Sequence, residues 1–205
     1  MKKIISIIVA ILTIFAFGCS VSPENNNSSG KESTDAQDIS SEYQIVKLHA
    51  DWPIYGTSQG IVEASTNIYS GKVTNISFCI IDMTTGEPDN QPESISTSHM
   101  LYTIYTIAVT ESYKGQNLSE IKIKKIGGLP SYHAKEQYEL MESSGMLSKY
   151  NGIPVIDGGK TLDEGEEYLF CTERTTGPYD LIINLSEFAH DIGSKSAMDI
   201  IKACK

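Results

Sequence analysis

The chain has 205 residues, enough for one ordinary domain once any leader and linker are set aside. Lys and Arg total 16 against 26 Asp and Glu, a formal net charge of −10, and so acidic a chain is a poor partner for a phosphate backbone. Cysteines stand at 19, 79, 171 and 204 with no CxxC pair, which leaves out zinc-ribbon spacing.

Residues 1–18 read as an export signal. Lys2 and Lys3 supply the basic start, an apolar run follows from Ile4 to Phe17, and Gly18 is a small residue at the cut. The run is shorter than the ~20 apolar residues that a membrane span needs. Ala16-Phe17-Gly18-Cys19 resembles the lipobox of bacterial lipoproteins, with Ala16 where that family usually carries Leu. The resemblance implies a diacylglyceryl thioether on Cys19, which becomes the mature N-terminus and holds the chain to the bilayer. Two acyl chains suffice for stable anchoring. The domain then faces the extracellular or periplasmic side of a bacterial cell membrane.

Residues 19–42 are a tether. They are rich in Ser, Asn, Glu and Asp and nearly free of large apolar side chains, so they cannot bury enough surface to order themselves. The folded domain is expected over 43–205.

Within it, residues 45–48 form a short candidate strand, and 50–56 a turn-rich approach holding Trp52, the only tryptophan. A lone Trp beside Pro more often plugs a core than stacks on a ligand. Residues 58–65 fit one or two helical turns, with Thr57 or Ser58 as N-cap. Residues 67–83 alternate as a long strand, with a bulge or bend expected at Gly71. A polar loop, 84–98, carries Pro88 and Pro92.

The strongest pattern is 102–115. Thr103, Tyr105, Ile107 and Val109 fall on one side of an extended chain and Tyr102, Ile104, Thr106 and Ala108 on the other. It reads as the central strand. Residues 119–126 follow as a strand, with Ile121 and Ile123 alternating against Lys122 and Lys124, so that the lysine face is expected to be wet or at an edge. Good helix formers over 131–150 predict an inserted helix. An acidic turn at 163–167, strands at 168–172 and 179–185, and a C-terminal helix over 196–204 complete the chain.

Ala64-Ser-Thr-Asn-Ile-Tyr-Ser-Gly71, Tyr105-Thr-Ile-Ala-Val109 with Tyr113-Lys-Gly115, Ile121-Lys-Ile123 and Leu162-Asp-Glu-Gly-Glu-Glu-Tyr-Leu-Phe170 together resemble, in order and spacing, the tissue inhibitors of metalloproteinases and netrin-type modules. The resemblance implies a mainly β chain, folded as an antiparallel OB-like closed barrel (TIMP/netrin-like) with an inserted helix and a C-terminal helix. It implies no activity. That family inhibits through a free N-terminal cysteine, and nothing here matches it, so none of its functional residues is carried over.

No catalytic set, cofactor motif or metal site is encoded locally. Histidines 49, 99, 133 and 190 are scattered, with no HExxH. His49 and Asp51 meet His99 only if the fold brings them together. Asp163, Glu164, Glu166 and Glu167 crowd one turn without EF-hand spacing and read as a solvated hairpin rather than a calcium site. Cys79 and Cys171 are either barrel neighbours joined by a disulfide or buried thiols. The leading expectation is a non-catalytic interaction module binding an exported protein or envelope ligand through loops 84–98 and 131–152. An exported metal-dependent hydrolase assembled from distant residues is the competing one, with a metalloprotease-inhibitor-like protein and a purely structural envelope protein as further alternatives.

Overall fold

The computed structural model describes residues 42–205; the signal segment, the lipobox with Cys19 and the tether to residue 41 lie outside it. The chain is mainly β. Its centre is a pair of sixteen-residue strands, β2 (Asn67–Asp82) and β3 (His99–Lys114), paired antiparallel along their length. Their Ile, Val, Tyr and Thr side chains suit a pleated surface, and register shifts at Ser70/Gly71 and Val73/Asn75 bend the pair. The irregularity expected at Gly71 is present. A Cβ there would meet Ala108 O at 2.6 Å, so only glycine lets β3 come so close.

β3 pairs antiparallel with β4 (Glu120–Ile126), and β4 pairs in parallel with β7 (Asp180–Ile182). β7 pairs antiparallel with β6 (Glu167–Arg174), and β6 pairs antiparallel with both β8 (Ala189–Asp191) and β2. Neighbours therefore run β2-β3-β4-β7-β6, with β2 also paired to β6. The expected all-antiparallel arrangement needs correcting. The six-stranded sheet is mixed, because β7 joins β4 in parallel. β1 (Ile45–Leu48) and β5 (Ile153–Ile156) form a separate two-stranded parallel sheet.

The strand expected over 179–185 is only three residues long. Beyond Ile182 the backbone turns away, because Asn184 Nδ2 donates to Pro53 O at 3.0 Å while its Oδ1 accepts from the amides of Ser186 and Glu187. The helices fall near their expected places. α1 (Ser58–Ala64) is capped by Thr57, whose Oγ1 accepts from Gly60 N at 3.0 Å, and Lys114 Nζ donates to the terminal carbonyls of Val62 and Ser65. α2 (Ala134–Ser143) and the short α3 (Leu147–Tyr150) make the insertion, and α4 (Lys195–Ala203) begins at its N-cap Ser194. Among the described residues no helix is long and apolar enough to cross a membrane.

Two apolar clusters share the central strands. The main one gathers Ile68, Val73, Ile80, Leu101, Tyr105, Ile107, Ile123, Phe170 and Phe188. The second, formed by Cys79, Ile81, Tyr102 and Ile104, uses the intervening positions of β2 and β3 and so covers the opposite face. That second cluster positions the candidate site.

Candidate binding face

The two loops expected to carry function are brought together. Loop 83–98 is folded back on β2, with Asp89 N donating to Ile80 O and Ile80 N to Asn90 Oδ1, each at 2.8 Å. Lys149 of α3 reaches across from the insertion and donates to Thr97 O at 3.0 Å and His99 O at 2.8 Å. The insertion is itself stapled down by Gln137. Fully buried, it accepts from Leu129 N and donates to Leu129 O and Tyr132 O. These hydrogen bonds satisfy backbone groups of the irregular segments.

His99 is buried at the foot of the same loop. Its Nδ1 accepts from Ser96 N at 3.1 Å and lies 2.8 Å from Ser96 Oγ, while Nε2 lies 3.1 Å from Asp89 Oδ2. This is a Ser–His–Asp chain of contacts. Its ring, however, is held by the backbone amide of the same serine across a four-residue turn, which makes it a lock on the loop. The other histidines have separate partners. His133 lies beside Glu136, and His190 sits between Ser196 Oγ and Glu187 O. His49 is exposed at the end of β1, where it helps Lys47 hold the Asp157 carboxyl below its usual range. The acidic turn is likewise engaged with the sheet: Glu164 Oε1 accepts from Ile76 N at 2.6 Å and Glu167 Oε1 from Thr110 Oγ1 at 2.7 Å. Among the described residues no group of three or more His, Cys, Asp and Glu is placed to hold a metal.

Over the second apolar cluster the fold leaves a cavity of about 310 Å³, lined by Trp52, Met83, Gly86, Tyr102, Lys124, Ile126, Thr175, Thr176 and Leu181. Its floor is the outer face of β3 and β4, with Leu181 of β7 beside it. Two walls are turns, 83–86 and 175–178. Asp82 Oδ1 accepts from Thr84 N at 2.9 Å and shapes the first, and Thr175 Oγ1 donates to Tyr179 O at 3.2 Å across the second. The turns touch backbone to backbone. Gly86 and Gly177 both have positive φ, and a Cβ on either would run into the other loop's main chain.

Lys124 is the unexpected member. Alternation puts it on the outer face with Lys122, where water was expected, yet it is only 6% exposed. Its Nζ stands 5.9 Å from the centroid of the Tyr102 ring, and among the described residues it has no hydrogen-bond or ion-pair partner. Desolvation pushes its ammonium down from the usual lysine range, opposed by Cys79 and Glu87. Burial likewise pushes the nearby Cys79 thiol up to about 11 and the Tyr179 hydroxyl to about 12. Trp52, assigned above to packing, does pack against the main core and also lines this cavity. Its Nε1 is buried without an acceptor. Cys79 and Cys171 are both buried free thiols, in different clusters.

The chain matches no family model and no curated protein.

Proposed function

We propose that the protein is a lipid-anchored, extracytoplasmic binding module. Acylated Cys19 holds it to the outer side of a bacterial membrane, residues 19–42 lift the domain clear, and the domain captures an exported protein or envelope ligand without turning it over. The domain is best read as an OB-like barrel of the TIMP/netrin kind. What supports that reading is the order β2-β3-β4-β7-β6 returning to β2, with one parallel contact among antiparallel ones. Small OB barrels bind through the face of their second and third strands and the two loops beside it. In this chain those are β3, β4 and the turns at 83–86 and 175–178.

One observation carries the functional part: a concave site on that face is lined by Trp52 and by the largely covered Lys124, which has no acceptor among the described residues, above an apolar floor. Two experiments test the proposal. Cys19→Ser should move the protein from the membrane fraction to the soluble one, and equal partitioning of variant and parent removes the anchor. A photo-crosslinking side chain at Thr176 should trap a reproducible partner or ligand on intact cells, and one at Gln59 should not. Equal labelling at both removes the binding face.

A further inference from the structure

The cavity beneath Trp52 specifies the chemistry of what it holds. We propose that it is a carboxylate-binding site: Lys124 takes the carboxylate of a small molecule whose apolar body lies on Tyr102, Met83, Ile126 and Leu181. The inference rests on the binding-face reading above and narrows it to one ligand class.

Lys124 is largely covered by its neighbours, and apart from the Tyr102 ring its ammonium meets no partner among the described residues. Buried lysines ordinarily find a carboxylate, and an unpaired one is held at a free-energy cost that well-placed apolar groups would avoid. The sequence has acidic side chains in excess, 26 against 16 basic, yet among the described residues none is within ion-pair distance of Lys124. Glu87 is near enough to favour the charged state without pairing. Lys124 thus has no acidic partner among the described residues of a protein well supplied with acids. A ligand carboxylate would supply the missing acceptor. The Trp52 ring lines the same cavity beside Lys124.

The remaining lining favours an apolar body behind the charged head. Tyr102, Met83, Ile126 and Leu181 offer an aromatic face and flexible aliphatic surface. A volume of about 310 Å³ lies at the small end of ligand cavities and suits a monocarboxylic acid with one ring or a short branched chain. A cationic ligand would meet the Lys124 charge, and a neutral one would leave it unpaired. The preference is set by that charge.

Trp52 makes the test direct, because it is the only tryptophan and stands in the cavity wall. The full-length chain is titrated with 3-phenylpropionate and phenylacetate, with the matching neutral amides, and with phenethylamine, while Trp52 emission is followed. The acids are expected to bind about tenfold or more tightly than their amides, with the amine weakest. Lys124→Met should erase the acid–amide preference, and Lys124→Arg should retain most of it. Replacing a largely covered lysine that has no acid partner should also leave the Met variant at least as resistant to heat as the parent, which separates lost recognition from lost fold. Acids and amides binding alike, an acid preference that survives Lys124→Met, or no emission change with any acid up to concentrations on the order of 10 mM overturns the proposal. A partner trapped at Thr176 on cells alongside any of those results keeps the binding module and removes only the carboxylate.

Discussion

Asp180 shows how much one buried side chain can settle. It is fully buried, and its carboxylate accepts from Asn67 Nδ2 at 2.6 Å, Thr172 Oγ1 at 3.1 Å and Arg174 Nη1 at 2.9 Å. Those donors sit on β2 and β6, so three residues of β7 are tied to strands whose apolar contacts alone would not hold so short a segment. Asp180→Ala removes three charge-assisted hydrogen bonds and should cost about 3 kcal/mol in chemical denaturation, against about 1 kcal/mol for Thr172→Val. His190 gives a pH signature at the same scale. Burial, with Lys160 adding to it, holds its pKa below 6.5, while Glu187 and Asp191 oppose. A histidine depressed in the fold takes up its proton more readily when unfolded. Its contribution is therefore full above pH 6.5 and is lost as pH falls through the lowered value. His190→Gln should flatten the fall in unfolding free energy as pH drops below about 6.5.

At the scale of elements, the loop–insertion contact is the part most open to test. Lys149→Ala deletes the cation on which the Thr97 and His99 carbonyls converge. It should speed amide hydrogen exchange across 90–98 by about tenfold, leaving β2 and β3 unchanged, and uniform exchange in both proteins contradicts the clamp. Period-two alternation found β2, β3, β4 and β6 to within a few residues, and the N-cap chemistry of Thr57 found α1, because these signals are local. The same alternation placed Lys124 on the outer face correctly and its surroundings wrongly. Whether an outer face is wet depends on Trp52, Met83 and Thr176, which approach from three distant parts of the chain. Lys149 was illegible for the same reason, since its partners lie in another loop. β8 is three residues long, too short for any periodicity to show, and β7 stops early because of Asn184, which carries no mark in a strand pattern.

Over the whole molecule, the two apolar clusters lie on opposite faces of one pair of strands, so neither can melt while β2 and β3 stay paired. Unfolding should therefore be a single transition. The thiols offer a check, because Cys79 belongs to one cluster and Cys171 to the other, both with burial-raised pKa values that keep them unreactive in the fold. Their alkylation should begin at the same denaturant concentration, and a gap between them marks two independently melting parts. Cys204, only partly covered at the C-cap of α4, should react before either.

The meeting of Gly86 with Gly177 has a consequence for how this chain tolerates change. Two hairpin tips that abut with no side chain between them form a joint, and neither half has room for even a methyl group. In a saturation mutagenesis library selected for folded protein, these positions should drop out as a matched pair. The threonines around them, 84, 85 and 176, should accept nearly every replacement. Variation in the pocket's rim is thereby channelled into residues that can alter what enters without loosening the hinge on which it is built.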